Sequence, residues 1–104
     1  MNFDHTAFIV KDIKESVKWY QENFDAKIID QYDDWAFLEI YNTKLALSTG
    51  KHPYHIGIKC DKEEDLKRLG DKVYNHRDGT KSIYKVDLDG NAVEFIFYPK
   101  THKK

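Results

Sequence analysis

The sequence contains little cysteine and no long apolar run, and both absences exclude classes of protein. Its one cysteine, Cys60, has no partner for an internal disulfide, which excludes a fold built on a disulfide framework. No apolar stretch approaches the length of a membrane span, and the first residues lack the pattern of a secretion signal. We therefore expect a reduced, soluble protein of the cytoplasm.

An excess of charge of one sign is also missing. Lys and Arg number 17 and Asp and Glu number 18, so the formal net charge is −1. A balance this close to zero gives no electrostatic reason to expect nucleic acid or an anionic membrane as a partner. The 104 residues suffice for one domain, residues 1–104, with a hydrophobic core and one pocket for a small molecule.

Aromatic side chains, by contrast, are abundant, at 14% of the residues. We expect some of them to line a cavity, because a core this small does not need so many rings. Trp35, Phe37 and Tyr41 are the candidates, since alternation places them on one face of a predicted strand. Such a face would suit a flat apolar substrate, and it would equally suit an interface between subunits.

The first half of the chain has the pattern of a strand, a helix and three strands. Residues 3–10 alternate and are rich in β-forming residues, which is typical of a strand. Asp12 and Glu15 have the spacing of a capping box, and an apolar stripe at helical spacing follows them. Three further strands are predicted at residues 26–31, 35–41 and 44–48.

The second half repeats this pattern. Residues 54–60 predict a strand, Asp61 and Glu64 predict a second capping box, and Gly70 is expected to weaken the end of the helix. The apolar stripe of this helix is formed by Leu66, Leu69 and Val73. The last three strands are predicted at residues 73–77, 81–87 and 92–98, with a hairpin turn at Asp89 and Gly90.

An internal repeat of about fifty residues follows from these two halves. It predicts an α+β fold made of two βαβββ modules, at about residues 1–50 and 51–100. The final residues, 101–104, are expected to form a frayed tail.

Three residues that can bind a metal stand on predicted strands of this repeat. His5 and His55 lie at matching points of the two modules, and Glu94 lies on the closing strand. Alternation points each of them away from the side of its strand that packs on a helix. Two imidazoles and one carboxylate on one sheet face would make a metal site with open coordination positions. The alternative is a pair of hydrogen-bonded structural histidines and a solvated glutamate.

The chain resembles the vicinal oxygen chelate superfamily over most of its length. This superfamily contains glyoxalases, extradiol dioxygenases, methylmalonyl-CoA epimerases and bleomycin- or fosfomycin-resistance proteins. The resemblance is carried by residues 4–20, 54–58 and 87–94, which are similar to the family's first strand and helix, second module and closing hairpin. It implies one open, cup-shaped mixed β-sheet with helices on its outer face, and a divalent metal held by His5, His55 and Glu94.

Which branch of the superfamily the chain follows depends on a fourth ligand. Glyoxalases commonly take a glutamate from the strand that closes the first module, and Ala46 stands at that position here. The remaining set of two histidines and one carboxylate suits Fe(II) and oxygen chemistry. By resemblance to extradiol dioxygenases, His76 and Tyr84 would be catalytic and would bind or polarise a substrate hydroxyl. The alternatives are a turn residue for His76 and a plain strand aromatic for Tyr84.

Our leading hypothesis is a metal-dependent enzyme that chelates a small oxygen-bearing substrate, most like an extradiol dioxygenase. Fe(II) is the favoured ion, and Mn(II), Ni(II) and Zn(II) are the others considered. One rival is a metal-free ligand-binding protein like the bleomycin-resistance proteins, and another is an isomerase or lyase of the glyoxalase and epimerase type. Because two bare modules leave a short open cup, we also expect a homodimer.

Overall fold

A computed structural model of the chain describes residues 1–50 and 53–99. Each half of the chain runs as a strand, a helix and three strands. The elements are β1 (Asn2–Ile9), α1 (Ile13–Phe24), β2 (Lys27–Gln31), β3 (Trp35–Ile40), β4 (Thr43–Ser48), β5 (His55–Cys60), α2 (Glu64–Leu69), β6 (Tyr74–Asn75), β7 (Lys81–Val86) and β8 (Ala92–Phe97). The predicted α+β class with two βαβββ modules is confirmed.

Two compact units divide the chain close to the predicted module boundary. The first unit is His5–His55, and the second joins Met1–Asp4 to the residues from Ile56 onward. That residues 1–104 form one domain stays a prediction. The predicted tail at 101–104 lies outside the described residues. Within the described ranges, no helix is both long and apolar enough to cross a membrane.

The first unit is a mixed sheet with a helix on one face. Its strands follow the order β2-β3-β4-β1, in which β1 pairs parallel to β4 and the other pairs are antiparallel. Ile13 and Val17 of α1 pack on this sheet, so the apolar stripe predicted for the helix forms part of the core. The buried residues of that core are Ile13, Val17, Ala26, Ala36, Leu38, Leu45 and Leu47.

Both ends of α1 are set by residues close in sequence. The Asp12 carboxylate accepts a hydrogen bond from the backbone N–H of Glu15 at 2.9 Å, which confirms the predicted cap. After Phe24, Asp25 takes a left-handed conformation with φ 56° and closes the helix. An aspartate tolerates this conformation better than most residues, because its short side chain can bond locally.

In the second unit, the strands follow the order β5-β8-β7-β6, and α2 covers one face. Leu66 of α2 packs with Cys60 and Ile83, and Phe95 and Phe97 of β8 pack against this cluster. The face of the last strand that carries Phe95 and Phe97 therefore packs on a helix. Burial raises the pKa of the Cys60 thiol, so this side chain behaves as a small hydrophobe.

The second helix begins differently from the prediction. Glu63 takes the N-cap position with helical dihedrals, and no side chain caps the helix there. The capping box predicted for Asp61 and Glu64 is therefore wrong. Instead, the Asp65 carboxylate accepts from the backbone N–H of Lys62 at 3.3 Å. Local side-chain bonds of this kind compete with regular capping, because aspartate reaches several backbone N–H groups.

The same helix is also shorter than its predicted stripe. It ends at Leu69, and the N–H of Gly70 donates to the carbonyl of Leu66 at 3.2 Å. Gly70 thus ends the helix, as expected of a residue with a low helix propensity. Val73 lies beyond the helix, although it still packs against the cluster around Leu66.

Candidate metal centre

Two buried histidines of the first unit face each other. His5 on β1 is 4% exposed, and His55 at the start of β5 is 8% exposed. Their Nε2 atoms lie 3.2 Å apart, and the rings meet edge to face. Two nitrogen ligands at about 2.1 Å from one ion lie about 3.0 to 3.4 Å apart in octahedral or tetrahedral geometry. The observed separation therefore fits two ligands of a single ion.

A hydrogen bond to the backbone decides which ring nitrogen of His55 can bind a metal. Nδ1 of His55 lies 2.7 Å from the carbonyl oxygen of Pro53. Because a carbonyl only accepts hydrogen bonds, Nδ1 donates, and the neutral ring keeps a lone pair on Nε2. A backbone carbonyl on the other ring nitrogen is the usual way in which proteins orient a metal-binding histidine.

An apolar cluster lies beside the side chain of His5. The ring of Phe37 lies 5.6 Å from it, edge to face. Phe37 packs with Ala7 and Ala46, which are its neighbours in register across the sheet. Ala46 is buried at 4% exposure, so the strand that closes the first module presents a methyl group at this point. An apolar wall excludes water and strengthens electrostatic interactions beside it.

Glu94 is a buried carboxylate of the second unit, and the side chains of Tyr84 and His76 contact it. It lies on β8 at 4% exposure, directly across from Tyr84 on β7, whose hydroxyl donates to it. From another side, Nε2 of His76 lies 3.3 Å from Oε2 of Glu94. Burial raises the pKa of Tyr84 and the nearby Glu94 carboxylate raises it further, so the phenol stays a neutral donor.

The hydroxyl of Ser82 extends this group. Ser82 on β7 is 0% exposed, and its Oγ lies 2.6 Å from Nε2 of His76. Nε2 of His76 thus contacts two oxygens, Ser82 Oγ at 2.6 Å and Glu94 Oε2 at 3.3 Å.

Three buried side chains, two in the first unit and one in the second, each offer an atom of a kind that divalent metals bind. They are His5, His55 and Glu94. Imidazole nitrogen and carboxylate oxygen together suit Fe(II), Mn(II), Ni(II) and Zn(II). The chemistry of this donor set therefore fits a divalent metal.

Comparison with known protein families shows which family the chain belongs to. The family described as the Glyoxalase/Bleomycin resistance protein/Dioxygenase superfamily matches residues 2–103. The chain belongs to this superfamily. The resemblance inferred from the first strand, the second module and the closing hairpin is thus confirmed.

Two relatives of the chain within the superfamily are metallothiol transferases called FosB. The protein of Lysinibacillus sphaericus is 27% identical, over 90% of this chain and 80% of its own length. The protein of Staphylococcus epidermidis is 29% identical, over 89% of this chain and 79% of its own length.

Solved structures of two methylmalonyl-CoA epimerases share the fold of this chain. Methylmalonyl-CoA epimerase of Streptomyces coelicolor, in complex with 2-nitronate-propionyl-CoA, has a TM-score of 0.75 at 14% identity, covering 100% of this chain and 99% of its own. The epimerase of Mycobacterium tuberculosis has a TM-score of 0.74 at 13% identity, covering 95% of this chain and 89% of its own. At these identities the likeness concerns the fold.

The structure separates the three aromatic residues predicted for the pocket of this superfamily member. Trp35 and Phe37 stack with their ring centroids 5.6 Å apart, and both lie in the cluster beside His5. Tyr41 is different, because β3 ends at Ile40 and Tyr41 turns the chain with φ 54° and 70% exposure. The expectation that Tyr41 continues the face of Trp35 and Phe37 is therefore wrong.

The two residues predicted to be catalytic, His76 and Tyr84, are brought together at the Glu94 carboxylate. Their catalytic role stays a prediction. Ser82 was missed by the sequence reasoning. A signal for it exists, since alternation around the buried Ile83 places Ser82 and Tyr84 on the same face of β7.

Proposed function

We propose that this superfamily member is a metal-dependent enzyme in which His5, His55 and Glu94 hold one divalent ion. Its substrate would be a small molecule that chelates the ion through adjacent oxygen atoms. One observation carries the proposal: the two Nε2 atoms lie 3.2 Å apart, with His55 fixed by Pro53 in the ligand tautomer. The same separation also fits a hydrogen bond from Nε2–H of His5 to the lone pair on Nε2 of His55, and the metal titration described below distinguishes the two arrangements.

The side chains beside the proposed ligands have separate tasks. When bound, the ion would supply Lewis-acid polarisation of the substrate oxygens. Tyr84 donates a hydrogen bond to the Glu94 carboxylate, and the His76 ring lies beside it. The stacked Trp35 and Phe37 offer an apolar surface beside His5 for the carbon skeleton of the substrate.

We favour group transfer as the reaction, since the relatives at 27% and 29% identity are metallothiol transferases. In such a transfer, a thiol sulfur forms a bond to an electrophilic carbon of the substrate as a C–O bond breaks. The electron pair leaves on the oxygen, and the proton released by the thiol ends there. The neighbouring epimerase structures leave an isomerase or lyase as a related variant of Lewis-acid chemistry.

A second candidate function is the extradiol dioxygenase of our leading hypothesis. Ala46 favours it, because the methyl group at this buried position leaves two histidines and one carboxylate as the set. Oxygen uptake by the Fe(II)-loaded protein with catechol would support this candidate. Loss of free thiol with an electrophilic substrate, and no oxygen uptake, would support transfer instead.

An anaerobic titration with Fe(II), Mn(II), Ni(II) and Zn(II), followed by calorimetry, tests the metal site itself. We expect one ion per chain for the wild type. His55→Ala should weaken binding by more than the roughly 10- to 100-fold seen when an outer-shell partner is removed. Glu94→Gln should do the same, whereas Glu22→Gln on the exposed face of α1 should bind like the wild type.

Two results would contradict the metal proposal. One is a wild type that takes up no ion. The other is unchanged binding in His55→Ala. Saturable, metal-independent binding of a small molecule that survives Glu94→Ala would instead establish the rival function of a metal-free binding protein.

We further propose that the protein works as a homodimer in the cytoplasm. Light scattering of the purified chain tests the dimer, for which a mass near twice 12.3 kDa is expected. A monomer at micromolar concentration would contradict it. Fractionation of cells that express the chain tests its location.

A further inference from the structure

We propose that Ser82 is a positioning residue that acts through His76 to orient the Glu94 carboxylate toward the metal. This inference rests on the proposed function, because it assumes that Glu94 is a ligand. It gives the buried Ser82 side chain a function that the three proposed metal ligands do not by themselves indicate.

The first step of the argument concerns the burial of Ser82. Its side chain is 0% exposed on β7, where the neighbouring Ile83 points into the core with Leu66. A serine hydroxyl withdrawn from water costs free energy unless it is hydrogen-bonded. The bond to His76 Nε2 at 2.6 Å satisfies it and accounts for a polar residue at this position.

The second step concerns the geometry at His76. One ring nitrogen, Nε2, contacts both Ser82 Oγ at 2.6 Å and Glu94 Oε2 at 3.3 Å. The Ser82 contact restrains rotation of the His76 ring about its Cβ–Cγ bond. Nε2 therefore stays beside the Glu94 carboxylate.

The third step concerns the two oxygens of Glu94. A carboxylate that accepts a hydrogen bond from Tyr84 and is contacted by a restrained His76 ring has fewer orientations available. Restricting those orientations before the ion arrives lowers the entropy cost of coordination. Partners of this kind typically contribute 10- to 100-fold to metal affinity.

The experiment compares Ser82→Ala, Ser82→Thr and the wild type as intact proteins. Ser48→Ala is the matched control, because Ser48 is also a buried strand serine whose hydroxyl bonds a neighbour, the N–H of Gly50 at 3.2 Å. Mn(II) affinity is measured by calorimetry. The coordination geometry is read from the visible absorption of the Co(II)-loaded proteins, which does not depend on any substrate.

We expect Ser82→Ala to bind Mn(II) about 10-fold more weakly and to shift the Co(II) spectrum. Ser82→Thr keeps the hydroxyl and should restore most of the affinity, and Ser48→Ala should match the wild type. If Ser82→Ala does not fold, the comparison of Ser82→Thr with His76→Leu decides the question, with weakened binding expected only for His76→Leu.

Three outcomes would overturn the inference, and they are distinguishable. Wild-type affinity and spectrum in Ser82→Ala, or in His76→Leu, would refute the positioning role and leave the metal site standing. A wild type that binds neither Mn(II) nor Co(II) would refute the proposed function and this inference together. Equal weakening in Ser82→Ala and Ser48→Ala would show a general loss of stability and would also refute the specific role.

Discussion

Removing the hydroxyl of Tyr98 should destabilise the protein measurably. This hydroxyl donates to Oδ2 of Asp4 at 2.6 Å, and Asp4 is only 6% exposed. A hydrogen bond to a charged group contributes about 1.5–3 kcal/mol, and its loss deprives a buried carboxylate of a donor. We therefore expect Tyr98→Phe to lower the free energy of unfolding by about 2 kcal/mol, because the phenyl ring itself is kept.

The assay is urea denaturation of the wild type and Tyr98→Phe, followed by circular dichroism at neutral pH. For a domain of about 100 residues, 2 kcal/mol corresponds to roughly 8–16 °C in Tm. Tyr41→Phe serves as the control, since Tyr41 is 70% exposed in a turn and its variant should lie within about 0.5 kcal/mol of the wild type.

The pH dependence of the same difference adds a second test. Burial raises the pKa of Tyr98, and the hydrogen bond to Asp4 raises it further. A group whose pKa is raised on folding stabilises the folded state fully below its unfolded pKa, here about 10, and loses that contribution as the pH rises. The gap between wild type and Tyr98→Phe should thus persist at neutral pH and shrink above about pH 10. A gap below about 0.5 kcal/mol at neutral pH would refute the reasoning.

Three further predictions concern packing, a turn and the metal. Leu66 is 1% exposed, so Leu66→Ala should lower the free energy of unfolding, measured by urea denaturation, by about 2–5 kcal/mol. Leu88 is 102% exposed, and Leu88→Ala should change stability little. Similar values for both variants would contradict the assigned core. The hydrogen bond from the Asn91 side chain lowers the pKa of Asp87, so Asp87→Asn should be less stable than the wild type above about pH 4. This stability difference should vanish as the pH falls through the lowered pKa of Asp87. A difference that persists in acid would be inconsistent with this turn. EDTA should lower Tm, since free metal at 100 times its dissociation constant stabilises by about 2.7 kcal/mol; an unchanged Tm in calorimetry would argue against a bound ion.

Features set by near neighbours in the chain were predictable from the sequence. Asp12 and Glu15 are three positions apart, so the cap of α1 follows from their spacing alone. The strands follow from alternation, and their order with the helices follows from the repeat of the two halves. The exceptions are also local: Asp65 competes for the start of α2, and Tyr41 turns the chain one residue earlier than alternation indicates.

The candidate site was predictable only as a set of residue types on sheet faces. Alternation shows that His5 and His55 point away from the helices, because successive side chains on a strand point to opposite faces. It does not show that their Nε2 atoms lie 3.2 Å apart, since that distance depends on how strands remote in sequence are placed. The carbonyl of Pro53 on His55 is equally invisible in the residue pattern, because every residue has a carbonyl.

By itself, then, the sequence determined the class of fold, its repeat and the family, since these depend on periodicity and short motifs. Only the tertiary structure decided what contacts Glu94. Tyr84 pairs with Glu94 across β7 and β8, His76 lies beside Glu94, and Ser82 contacts His76. The physical reason is that hydrogen bonds require matched atoms within about 3 Å, and such matches arise from register and packing rather than from residue type.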